Sequence, residues 1–162
     1  MKKFCISFFS ILFFTQASFA LVKIDITRGN LEPLPTAVSK FYIEDPSKFS
    51  KELKKLKLEE KISETISNNL KRSGLFFIID PKSYIQSPNI AHVKPTFQDW
   101  ALIKAQIMVS GKLVIDEQKR LRVEFRLWDV VGGKEIEGLA LFATPQSWRR
   151  IAHIISDKIY ER

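Results

Sequence analysis

Arg120–Asp129 is the stretch that most constrains the fold. Its apolar residues Leu121, Val123, Phe125 and Leu127 alternate with Arg120, Arg122, Glu124 and Arg126, the period of a strand with one dry face and one wet face. Ile107–Ile115 is a second apolar run, separated from it by the polar tetrapeptide Asp116-Glu117-Gln118-Lys119. Gly132-Gly133 follows, a pair that tolerates the positive φ of a tight hairpin turn, so a third strand is expected over Ile136–Ala143. Three consecutive antiparallel strands form a meander, and amphipathic segments on either side must cover its inner face.

Those segments are present. Ala37–Ile43 reads as a first internal strand ended by Glu44-Asp45-Pro46. From there to Arg72 the pattern is helical, with Leu58, Ile62, Ile66 and Leu70 on one side. Gly74 can take the left-handed conformation that stops such a helix. Leu75–Ile79 is a short apolar run suited to a strand buried on both faces, and Lys82–Pro95 reads as a surface connection. Thr96-Phe97-Gln98-Asp99 has the form of a capping box ahead of a short helix with Trp100 and Ile103. Thr144-Pro145 opens a closing helix to Arg162, whose Trp148, Ile151, Ala152, Ile155 and Ile159 share the face that packs on the sheet. Five strands and two to three helices give an α/β chain of the α+β kind.

The first residues have another purpose. Lys2 and Lys3, the apolar run Phe4–Phe14 and Ser18-Phe19-Ala20 form a secretory signal, too short to span a membrane comfortably. Cleavage after Ala20 removes Cys5, the only cysteine, and leaves a domain indifferent to an oxidising compartment. Leu21 rather than cysteine follows the cut, so neither a lipid anchor nor stable membrane insertion is expected. Leu21–Ile26 alternates apolar and polar residues before Arg28-Gly29-Asn30, Pro33 and Pro35 break the pattern. Residues 21–36 therefore read as an extended arm, able to add itself to the open edge of a partner's sheet, and residues 37–162 as the domain.

Catalytic patterns are missing from the sequence. It has two histidines, His92 and His153, without a second ligand at metal-binding spacing. It has no phosphate-binding glycine loop and no nucleophile elbow, so no enzyme activity, cofactor or metal is expected. The formal charge of +8 falls by two when Lys2 and Lys3 leave. A basic balance favours acidic partners. Nucleic acid is not among those expected, because export removes the chain from it and no basic and aromatic clusters accompany the charge. The alternative is a polyanion or anionic membrane surface meeting Lys48–Lys61, where Glu52, Glu59 and Glu60 intersperse the lysines.

Motifs along the chain point the same way. Ile24-Asp25-Ile26-Thr27 with Gly29-Asn30, Pro33-Leu34-Pro35, Leu70 with Arg72-Ser73-Gly74-Leu75-Phe76, Phe97 with Asp99-Trp100, Leu121–Asp129, and Trp148-Arg149-Arg150-Ile151-Ala152-His153 make the sequence resemble the TolB amino-terminal domain family. That resemblance implies a mixed five-stranded sheet with helices packed on it. It further implies a periplasmic, non-enzymatic adaptor of the Tol-Pal system, linking the inner-membrane protein TolA to the outer-membrane lipoprotein Pal and supporting outer-membrane integrity and constriction at cell division. By the same resemblance, TolA is engaged by Leu21, Val22, Lys23, Ile24, Asp25, Ile26, Thr27, Arg28, Gly29, Asn30, Leu31 and Glu32. Family members run on into a β-propeller that binds Pal, whereas this sequence stops at Arg162. A shortened or stand-alone copy without the Pal contact is the expectation.

The dry face of Arg120–Asp129 can be tested directly. Phe125→Asp would bury an unpaired charge, costing several kcal/mol against a total stability of about 5–15 kcal/mol. The variant should lose its cooperative thermal transition by circular dichroism, whereas a melt near the parent temperature would mean that the register is wrong.

Overall fold

The alternation of Leu121–Asp129 (β5) becomes the middle of a meander in the computed structural model, which describes residues 32–162. It pairs antiparallel with Ile107–Ile115 (β4), Gly111 opposite Phe125, and with Lys134–Ala143 (β6), Phe125 opposite Leu139. Leu34–Val38 (β1) and Tyr42–Ile43 (β2) lie parallel along the other edge of β4, and Phe76–Ile78 (β3) lies parallel to β1. The sheet is mixed, as expected, and has six strands in the order β3-β1-β4-β5-β6, with β2 beside β4. The additional strand is the two-residue β2.

Helices cover the faces unequally. Lys51–Leu56 (α1) leads into Leu58–Ser73 (α2), and Trp148–Tyr160 (α5) closes the chain. Leu58, Ile62, Ile66 and Leu70 of α2 join Ile151, Ala152, Ile155 and Ile159 of α5 over Val109, Leu113, Val123, Phe125 and Leu127. Pro88–Ala91 (α3) and Phe97–Leu102 (α4) belong to the opposite face and cover only one end of it. There Ala91 and Trp100 pack with Ala37, Met108, Trp128 and Val130, and the buried Trp128 indole donates to Ser110 Oγ at 2.8 Å. The uncovered remainder carries Lys112, Arg122, Glu124 and Arg126 in ion pairs, among them Lys112 with Glu44 and Arg126 with Glu135, both at 2.7 Å.

Several expectations need correction. The strand placed at Ala37–Ile43 is two strands, the first starting at Leu34, and it contains Pro35 although it lies between two neighbours. Pro35 is tolerated because its missing N–H would face the β4 side, and β4 pairing begins only with Thr36 opposite Ile107. The single helix expected before Arg72 breaks at Lys57, which has φ 49°. Leu56 and Leu58 both pack on the same core, and residues two apart cannot share one face of an unbroken helix, so the break restores the phase. Leu75–Ile79 is not buried on both faces: β3 is an edge strand, and Phe77 is 60% exposed. The capping box at Thr96 does not form. Instead Gln86 accepts from the Thr96 N–H and the Trp100 indole and donates to Asp99. Pro145 begins a 3₁₀ turn, and the helix proper starts at Trp148.

Further contacts hold β1 and its continuation. Ser39 donates its N–H to Val109, and the following residues turn the Phe41 ring onto Gly111, where a Cβ would collide with that ring and with the Glu124 carbonyl oxygen. The Tyr84 hydroxyl accepts from the Val38 N–H at 2.9 Å and donates to the Ile79 carbonyl at 3.0 Å. Burial pushes this hydroxyl up to about 12.

Gly111→Ala should cost about 1–3 kcal/mol through overpacking, measured as a lowered urea midpoint with unchanged slope. Tyr84→Phe orphans the Val38 N–H and should cost about 1–3 kcal/mol at neutral pH. Its pH dependence has a definite sign. Because the folded value lies above the ordinary value of 10.0, the hydroxyl's contribution is complete below pH 10 and is lost as pH rises through about 12. The parent should therefore lose stability between these limits more steeply than Tyr84→Phe.

Candidate functional site

Leu21–Leu31, nearly all of the segment expected to bind a partner, lie outside the described residues, as does the signal expected at 1–20. Glu32 is described and exposed. The chain passes from it through Pro33 into β1, whose backbone is anchored on both sides. Leu34 N–H donates to Leu75 at 2.8 Å, and Ile79 N–H donates to Thr36 at 3.0 Å. On the other side Gln106 N–H reaches Pro35 at 2.9 Å. Thr36 and Ala37 are fully buried. The arm is thus covalently continuous with one of the best-held strands of the sheet.

The described residues offer little reactive chemistry. They hold no group of three His, Cys, Asp or Glu able to bind a metal ion. His92 stacks on Tyr42 with ring centroids 4.8 Å apart, and His153 Nδ1 lies 3.0 Å from the Asn69 amide nitrogen. A hollow of about 500 Å³ is lined by Val38, Lys40, Glu60, Ser63 and Ile78 among others. Two of its ionisable groups are paired with each other: a hydrogen bond from Lys40 holds Glu60 below the usual carboxylate range, and the same bond raises Lys40. The Ser63 hydroxyl donates to the carbonyls of Glu59 and Glu60. Glu44 is lowered in the same way by its bond to Lys112. Carboxylates held ionised by lysines are poorly placed to carry protons near neutrality.

In the lysine-rich stretch, Lys57 lies 3.6 Å from Glu60, while Lys48, Lys51, Lys54 and Lys55 are exposed. No described helix is long and apolar enough to cross a membrane. One surface had no role in the sequence-based expectations. Among the described residues β6 pairs with β5 alone, and a hollow lies between its last residues and α5. Its signal in the sequence is the uncharged run Gly138–Ala143 after Glu135 and Glu137.

These features define an α+β domain with a mixed sheet, entered through a held inner strand and ending in a meander whose last strand has one neighbour among the described residues. The family described as the TolB amino-terminal domain matches residues 22–136, and the chain belongs to that family. The Tol-Pal system protein TolB of Pelagibacter ubique (strain HTCC1062) is 53% identical over 147 residues, covering 90% of this chain and 33% of that protein. The chain thus spans about a third of the length of this curated relative. Among solved structures, TolB from Acinetobacter baumannii matches 80% of this chain and 28% of its own, with a TM-score of 0.59 at 18% identity. Lipoprotein GNA1162 from Neisseria meningitidis matches 69% of this chain and 81% of its own, with a TM-score of 0.51 at 12% identity. At these identities the structural matches speak for the fold.

Proposed function

We propose that this chain is a periplasmic, non-enzymatic adaptor of the Tol-Pal system. Exported by the signal at 1–20, it binds a TolA-like inner-membrane protein through Leu21–Glu32. Through that link it contributes to outer-membrane integrity and to envelope constriction at cell division. The observation that carries this reading is the family match beginning at residue 22, which takes in the alternating arm that leads into β1. An alternating segment can pair through its backbone with a sheet edge while every second side chain selects the partner. Pal is not assigned to this stretch of chain.

The test is calorimetric titration of residues 21–162 into the periplasmic carboxy-terminal domain of TolA from the same organism, beside residues 33–162. Binding by the longer chain and none by the shorter is expected. Equal binding by both, or none by either while both remain folded, would overturn the proposal. The competing polyanion reading predicts binding to heparin with a steep salt dependence, unaffected by the deletion.

A further inference from the structure

The domain also has an edge suited to receiving a strand. β6 is hydrogen-bonded to β5 on one side, and no described strand covers its other side. Proteins usually protect such an edge with charge, proline or a bulge. Here Lys134, Glu135 and Glu137 guard the beginning of β6, and the register irregularity at Leu127/Trp128 falls at that same end. Gly138-Leu139-Ala140-Leu141-Phe142-Ala143 has no charge, no proline and regular pairing to β5.

What flanks this edge gives it selectivity. α5 follows the turn Pro145–Ser147. Between it and the strand lies a hollow of about 350 Å³, lined by Leu141, Ala143, Ile151 and Ile154 together with Ser147 and Arg150. A strand laid along β6 would place alternate side chains in this hollow and the others on the opposite face, beside Phe142. That ring is 52% exposed. The guanidinium groups of Arg120 and Arg122 lie 5.0 Å and 5.8 Å from its centroid. Arg120 and Arg122 are paired with Asp116 and Glu124, while Arg150 is exposed and has no ion-pair partner among the described residues. No carboxylate lines the hollow.

We propose that the groove between β6 and α5 is a second protein-binding site. It takes an extended segment of another protein, with apolar side chains alternating with acidic ones, as an added strand on Gly138–Ala143. Apolar side chains fill the hollow, acidic ones meet Arg120 and Arg122, whose side chains stay 53% and 40% exposed beside their partners, and Arg150 receives a carboxylate at the end of the apolar row. This site is independent of the arm: one supplies a strand and the other accepts one.

The probe is the peptide acetyl-Glu-Glu-Val-Glu-Leu-Glu-Val-Glu-Glu-amide, whose apolar row ends in a carboxylate on either side, titrated into isotope-labelled chain from Leu21 and followed by amide NMR shifts. Shifts should concentrate in residues 138–143 and 147–154. Exchange of every Glu for Lys, or the exposed substitution Arg150→Glu, should weaken binding by about tenfold or more. N-methylation of the peptide should abolish binding at one set of alternate residues and be tolerated at the other, as backbone pairing on one side requires. No shifts at millimolar peptide, shifts centred on Lys48–Lys61, or equal binding of the Lys peptide would overturn the proposal. Dilution-dependent shifts of β6 without peptide would do the same, because the occupant would then be a second copy of the chain.

Discussion

Everything in this fold depends on β1 being paired along both sides. β3 is a three-residue strand with no partner but β1 among the described residues, and β1 together with β2 closes the edge of β4 that the meander leaves open. A central strand has little tolerance for unpaired backbone groups, because each buried orphan costs as much as a lost hydrogen bond. Where β3 ends, Tyr84 supplies a side-chain hydroxyl in place of a fourth residue, and where β4 begins, Pro35 has no donor to leave unsatisfied. The irregular segment Ser39–Phe41 keeps its place in the core through Gly111, whose lack of a side chain admits the Phe41 ring. These local accommodations make one continuous edge out of a sequence that contains a proline and a kink.

The meander and the two large helices were legible because their hydrophobic periods are long and undisturbed. Leu121–Leu127 shows a two-residue period, and Leu58–Leu70 and Trp148–Ile159 show helical ones. The parts that were misplaced are those where tertiary partners override a local signal. Pro35 reads as a breaker until the register shows which way its nitrogen faces. Thr96 and Asp99 read as a capping pair, but Gln86, ten residues before Thr96, satisfies that helix start instead. Leu75–Ile79 looks like a buried strand because an apolar run carries no information about sheet order, and sheet order alone makes Phe77 an outward residue.

The two proposed binding surfaces differ in the same respect. The arm was visible as alternation within a few residues, and the motifs shared with the TolB family extend into it. The β6–α5 groove arises only when the closing helix returns across the sheet, bringing Ile151 and Ile154 to Leu141 and Ala143. The uncharged run Gly138–Ala143 hints at a vulnerable edge, but nothing local indicates that a helix will stand beside it. The family match ends at residue 136, inside Lys134–Ala143, so the groove lies beyond it.

The double anchorage of β1 has a mechanical meaning. Tension applied at Glu32 along the axis of β1 would meet hydrogen bonds to β3 on one flank and to β4 on the other. A pull along a strand loads its flanking hydrogen bonds together, in shear, whereas a pull across a sheet opens them one after another like a zipper. A tether attached at the amino-terminal end of this domain would therefore draw on the sheet's stiffest direction, and the load would be spread over neighbours on both sides before any one contact gave way.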